Sequence, residues 1–150
     1  MDLKKAPLLL LLSIFITTGL QAQARKHKAA GKQPSAALKA SMAAGAPIFA
    51  ENCAACHQAD GMGIPSMNPP LAKTTFVLGD KARLIKIILN GFSDDVDING
   101  QRYSNTMAAH DFLKDQEIAD LLTYIRNSFG NKASAVSTAQ VKAIRTANMK

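Results

Sequence analysis

Cys53-Ala54-Ala55-Cys56-His57 constrains this 150-residue chain more than any other stretch. Two cysteines three apart, with a histidine directly after the second, form the C-x-x-C-H signature of covalent haem attachment. The chemistry requires that spacing. Two thiols add to the two vinyl groups of one haem, so both must project from one helical turn, and the next residue then carries its imidazole to the iron. The chain holds 2 Cys in all, so Cys53 and Cys56 are both consumed as thioethers. The expected cofactor is one haem c. A redox dithiol would need a βαβ setting around the cysteines, and a zinc site would need further ligands at suitable spacing. The sequence offers neither.

At 16.0 kDa the chain is about one domain in size. It has no Trp, 2 Tyr and 6 Phe, a modest stock for a core, and a buried macrocycle supplies much of the missing apolar volume. The formal charge of +7 misleads. Between 41 and 130 there are seven Lys/Arg against ten Asp/Glu, a net of −3, whereas 25–40 and 131–150 carry five and four positive charges and no negative ones. The middle of the chain is mildly acidic and its tails are basic. That distribution gives no case for nucleic-acid binding; such tails are solvated or associate loosely with anionic surfaces, so membrane association is possible but not indicated.

Residues 1–24 read as a cleavable export signal. Lys4 and Lys5 give a positive start, Leu8–Leu12 and Ile14–Ile16 an apolar run too short to span a bilayer, and Ala22-Gln23-Ala24 a small-x-small cleavage site. The competing reading is an uncleaved anchor, against which Gly19 and the polar flank argue. Export to the periplasm agrees with the haem signature, since this attachment takes place outside the bacterial cytoplasm. Residues 25–40 are basic and aperiodic and are expected to be a flexible linker, with His27 a solvated residue.

From Met42 to Cys53 a helical period appears, with Gly45, Ile48, Phe49 and Asn52 at spacings of three and four. Pro47 is expected in its first turn. Phe49 stands one turn before Cys53, on the face of the first thioether. Gly61, Gly63 and Pro65 then turn the chain. An iron-bound imidazole needs an acceptor for its other ring N–H, and a backbone carbonyl in Asn68-Pro69-Pro70-Leu71 is a candidate, although either proline could equally serve a plain turn. Asp80–Leu89 predicts a core helix ended by Asn90-Gly91. Residues 94–103 alternate about Asn99-Gly100 and predict a short hairpin with a type I′ turn; the aspartates there lack the spacing of a calcium loop. A further helix is expected from near Asp115 to Ser128, with Ile118, Leu121, Leu122, Ile125 and Phe129 as its apolar stripe. Ser137-Thr138-Ala139-Gln140 is a capping-box pattern opening a final helix to about Thr146.

The run from Gly45 through the pentapeptide to Pro69-Pro70-Leu71 resembles a class I bacterial cytochrome c. The resemblance spans roughly 41–147. It implies an all-α cytochrome c fold, with N- and C-terminal helices crossed beside one covalently bound haem. It also implies that Leu121 and Tyr124 cross the first helix at Gly45 and Phe49, and that Pro69 and Leu71 are the family's haem-flanking Pro and Leu. A distant Met sulfur is the family's sixth iron ligand. Tyr103-Ser104-Asn105-Thr106-Met107 resembles the ligand loop of cytochromes attached to quinoprotein and sugar dehydrogenases, which implies Met107 opposite His57. Rivals are His110, Met62 and Met67, the last two too near His57 in the chain to reach the other iron face. The family has Pro directly after the ligand Met; here Ala108 stands there, so the loop is expected to be less rigid. Arg102 and Tyr103 are candidates for the haem propionates.

The organisation expected is signal 1–24, linker 25–40, cytochrome c domain 41–130 and a C-terminal extension 131–150. The resemblance implies a periplasmic electron carrier rather than an enzyme. Its partners would be redox proteins: a quinoprotein or flavoprotein dehydrogenase as donor, and an oxidase or another cytochrome as acceptor. A peroxidase-like enzyme would need an open iron position and usually more than one haem. A gas-binding four-helix cytochrome carries its haem motif near the C-terminus, not in the first third.

Overall fold

The computed structural model describes residues 34–148, so the leader over 1–24 and the linker up to residue 33 lie outside the described residues. Helix α1 runs Ala36–Asn52. Extended Ser35 caps it, its hydroxyl accepting from the Leu38 N–H at 3.1 Å. The linker expected through residue 40 is corrected here, because Ala36–Ala40 are helical. Ala, Leu and Lys are strong helix formers whatever their charge, and the capping serine starts the helix ahead of Met42. Pro47 consequently lies inside the helix and not in its first turn. It cannot return an N–H to the Ala43 carbonyl, and α1 continues through it because Gly45 and Phe49 are buried on its far side.

What buries them is helix α5, Asp115–Ile125, and α1 with α5 forms the most extensive helix contact among the described residues. Gly45 permits it. A Cβ there would stand 2.1 Å from the Asp120 carbonyl oxygen and 2.8 Å from Tyr124 Cβ. Asp120 and Tyr124 therefore meet Gly45, while Leu121 turns fully into the core. The Phe49 ring lies 5.5 Å from Tyr124 and 5.2 Å from Phe129, each tilted, a favourable aromatic arrangement. Ser41 and Gln116 both donate to the Asp120 carboxylate, which ties α1 to α5.

Helix α5 starts at Asp115 with Lys114 at its cap position and no side-chain oxygen on the orphan amides; Glu117 instead accepts from the Lys114 N–H at 2.8 Å. It ends at Ile125, three residues before the expected Ser128. Arg126 leaves the helix axis: it is buried and donates to the carbonyls of Ser134, Val77 and Gly79. Burial lowers its pKa, and the guanidinium stays charged.

Between these helices lie α2 (Ala54–His57), α3 (Thr75–Leu78) and α4 (Lys81–Asn90). The Asp80 carboxylate caps α4 through the Arg83 N–H at 2.8 Å, and Leu84, Ile85, Ile88 and Leu89 give its buried face. Strands β1 (Val96–Ile98) and β2 (Gln101–Tyr103) pair antiparallel, Val96 opposite Tyr103. Asn99 and Gly100 both take positive φ, 53° and 78°, as a type I′ turn needs. Helix α6 (Thr138–Asn148) opens on the expected box, with Gln140 Oε1 accepting from the Ser137 N–H and Ser137 Oγ from the Gln140 N–H. Fully buried Val141 docks α6 against α4 and α5. The result is an all-α fold with one two-stranded hairpin.

Candidate haem-binding site

The site begins where α1 ends. Cys53 leaves helical geometry at φ −123°, yet its N–H still reaches the Phe49 carbonyl at 2.9 Å, and the His57 N–H reaches the Cys53 carbonyl at 2.9 Å. Continuous helical bonding across the break keeps Cys56 and His57 one turn after Cys53. Cys53 is buried and Cys56 exposed. Burial, with Cys56 adding, pushes the Cys53 thiol up to about 11.

The loop after α2 serves to hold His57. Gly63 N–H bonds the His57 carbonyl at 2.9 Å, and Ile64 pairs with Asn68 as a bridge. This brings the Pro69 carbonyl to 2.9 Å from His57 Nδ1. Neither Pro69 nor Pro70 has an N–H, so the stretch builds no ladder of its own and its carbonyls are left for other donors. With Nδ1 donating to Pro69, Nε2 is left for a metal. Burial lowers the His57 pKa; the Pro69 bond opposes this and His110 adds to it. Gly63 makes the geometry possible: at φ +68° a Cβ would lie 2.3 Å from the Asn68 oxygen and 2.6 Å from that of Pro69.

Leu71 is held from both sides. Its N–H bonds the Gly61 carbonyl at 2.8 Å, and its carbonyl accepts from Asn131 Nδ2 at 3.0 Å. Asn131 also donates to the Ile125 carbonyl at 2.8 Å and accepts from the Lys73 N–H at 2.7 Å. Buried Asn131 thus pins the Leu71 loop to the end of α5. No motif or period in the sequence singles it out, since it lies past the end of α5 in an irregular stretch.

The opposite wall comes from α4, the hairpin and the segment after it. Met107 pairs with Phe92, N–H to carbonyl in both directions at 2.9 and 2.8 Å. His57 and Met107, fifty residues apart in the chain, line one cavity of about 390 Å³ together with Cys53, Cys56, Pro69 and Leu71. Leu84, Ile88, Leu122 and Ile125 make the floor apolar. Met62 and Met67 are exposed and outside this lining. His110 reaches the cavity, but both ring nitrogens face carbonyl oxygens, Ala108 at 3.0 Å from Nδ1 and Asn52 at 3.3 Å from Nε2. Of the two propionate candidates, Tyr103 lines the cavity, whereas exposed Arg102 pairs with Asp95 and is not part of the lining.

The donor set fits haem: two thiols one turn apart, an imidazole with its second nitrogen fixed, a methionine in the lining of the same cavity, and apolar walls. A zinc site would need more ligands, and among the described residues no group of three or more His, Cys, Asp or Glu is placed to hold a metal ion.

Comparison with known proteins bears on the same residues. Residues 42–129 match the family model described as Cytochrome c. A cytochrome c-552 of Thermus thermophilus is 37% identical over 98 residues, covering 63% of this chain and 66% of that protein. The gluconate 2-dehydrogenase cytochrome c subunit of Pantoea cypripedii is 36% identical over 99 residues, 64% of this chain and 22% of the subunit. The alcohol dehydrogenase (quinone) cytochrome c subunit of Gluconobacter oxydans is 32% identical over 105 residues, 69% of this chain and 22% of the subunit. The chain therefore spans just under two thirds of the first relative and about a fifth of the other two.

Proposed function

The chain belongs to the cytochrome c family, and on that premise we propose that it is a single-electron carrier whose haem iron is held by His57 and Met107. When bound, haem c supplies a one-electron iron couple. The protein's part is to hold and tune it. Cys53 and Cys56 anchor the macrocycle covalently, and the Pro69 carbonyl orients His57 and raises its basicity. The apolar walls exclude water and disfavour the additional charge of oxidised iron, and a thioether ligand acts in the same direction, so the potential is relatively high.

The observation that supports this reading is that His57 and Met107 line one apolar cavity, while both nitrogens of the rival His110 are turned to carbonyl oxygens. A carrier ligated on both faces has no position for substrate, which separates it from a peroxidase-like enzyme or a gas-binding haem protein. The test is spectroscopic. The oxidised protein is expected to show the weak sulfur-to-iron charge-transfer band at the red end of its spectrum, and Met107→Ala to lose it, lower the potential and gain carbon monoxide binding. A Met107→Ala protein unchanged in all three would sink the ligand assignment.

The site of action in this reading is the periplasm, on the strength of the charged, apolar and small-x-small segments of residues 1–24. The donor is a quinoprotein or flavoprotein dehydrogenase, supported by the similarity to dehydrogenase cytochrome subunits; the acceptor is an oxidase or another cytochrome. Transient redox docking needs only a small contact surface. Co-purification from the native envelope with a redox readout identifies the donor; a reduced chain recovered only with a cytoplasmic enzyme would contradict the assignment.

A further inference from the structure

We propose that Arg145, on α6, is a positioning residue for Met107, strapping the ligand loop from outside the haem domain; the inference rests on the assignment of Met107 as iron ligand. It begins with the backbone polar groups of the segment from Met107 to α5. A loop of this kind is ordered only as far as its carbonyls and amides find partners. The Met107 carbonyl takes the Phe92 N–H, that of Ala108 faces the His110 ring, and that of His110 takes the Leu113 N–H. Among the described residues, the carbonyls of Asp111 and Leu113 take no backbone N–H. Arg145 supplies both, Nη1 to Asp111 O at 2.8 Å and Nη2 to Leu113 O at 2.6 Å, while Nε pairs with Asp115 Oδ1 at 2.7 Å. One planar guanidinium fork thus spans Asp111 to Asp115, the last four residues before α5 and the first of the helix.

The strap is anchored. Val141 is fully buried one turn earlier on α6 and Ile144 is packed against the core. In the same last turn of α6, the side-chain amides of Asn148 and Asn90 bond each other in both directions. Asn90 closes α4 just before Phe92, and Phe92 is the backbone partner of Met107. Helix α6 therefore grips both sides of the Phe92–Met107 bridge: Arg145 the chain leaving Met107, Asn148 the chain arriving at Phe92. Residues 138–148 lie beyond the 42–129 match to the family model, so this device is additional to the shared domain. It also sits where stiffness is needed, since Ala108 leaves the ligand loop without the φ restriction that a proline imposes.

The test uses the full-length holoprotein with imidazole as a competing ligand for oxidised iron. Arg145→Gln is expected to bind imidazole about tenfold more tightly or better than wild type, the equilibrium weight of one lost charge-assisted hydrogen bond. The His110 and Leu113 amides should exchange faster, with helix content unchanged. Arg145→Lys keeps the charge beside Asp115 but cannot span both carbonyls, and is expected to fall between. It also serves as the comparison if Arg145→Gln does not yield folded holoprotein. Met107→Ala is the control. If it binds imidazole far better than wild type while both Arg145 variants behave as wild type, the strap is overturned and the ligand assignment stands. If Met107→Ala binds imidazole no better than wild type, the ligand assignment itself fails and the positioning role fails with it.

Discussion

Single residues decide whether His57 is presented correctly, and two of them carry no chemistry of their own. Gly63 lets the backbone approach the Asn68 and Pro69 oxygens at positive φ. Gly63→Ala is expected to cost about 1–3 kcal/mol through the left-handed backbone and the displaced carbonyl. Thermal unfolding of the holoprotein reads this, and a shift in potential shows that the His57 acceptor has moved; unchanged values in both would mean the cradle is loose. Asn131 satisfies three backbone groups at once. Asn131→Ala strands them in a buried setting at about 1–3 kcal/mol for each group left unpaired, so the urea midpoint should fall clearly. The His-Pro contact was legible from residue types, because a ligating imidazole needs an acceptor and a proline segment follows at a suitable distance. Asn131 was not legible, since a lone Asn after a helix looks the same whether it caps, turns or is solvated.

At the scale of elements, the α1–α5 contact sets the frame on which the haem-attachment turn is mounted. Gly45→Val drives a branched side chain into the Asp120 carbonyl and is expected to cost about 1–3 kcal/mol or more by overpacking. Phe49→Ala removes a ring from between Tyr124 and Phe129 and should cost about 3–5 kcal/mol. Denaturant midpoints of the two holoproteins check both figures, and a Gly45→Val protein as stable as wild type would contradict the close approach. The helix periods, the Asn-Gly turn and the Ser137 capping box were all readable locally. The start of α1 was misread because basic, alanine-rich sequence resembles linker and helix equally, and Ser35 settles the matter only once the helix exists. The role of Arg126 is not legible for the converse reason: a cation near a helix end satisfies the dipole rule, yet here the side chain is drawn off to carbonyls of Val77, Gly79 and Ser134.

For the whole molecule, the cavity and the haem it suits dominate stability. A cleft of about 390 Å³ with apolar walls leaves its lining side chains without packing partners on one side unless a macrocycle fills it. An ordinary domain has only about 5–15 kcal/mol of stability to set against that loss. A Cys53→Ser/Cys56→Ser protein, unable to attach haem, is therefore expected to lose its cooperative unfolding transition in circular dichroism at room temperature or slightly above. A haem-free double variant that melts like the holoprotein would show that the helices need no macrocycle between them.

The amino-acid sequence by itself determined the covalent chemistry, because two thiols and an imidazole at fixed spacing on a helical turn leave few alternatives, and it determined the helices, because their periods and caps are local. Which residues meet was decided only in three dimensions. Asp120 rather than Leu121 faces Gly45, Arg102 turns to Asp95 and away from the cavity, and both His110 nitrogens are taken up by carbonyl oxygens. The same holds for α6, whose Arg145 reaches thirty-odd residues back to the loop after Met107. The physical reason is common to all of these: backbone carbonyls carry no sequence signature, and it is carbonyls that receive nearly every polar side chain built into this site.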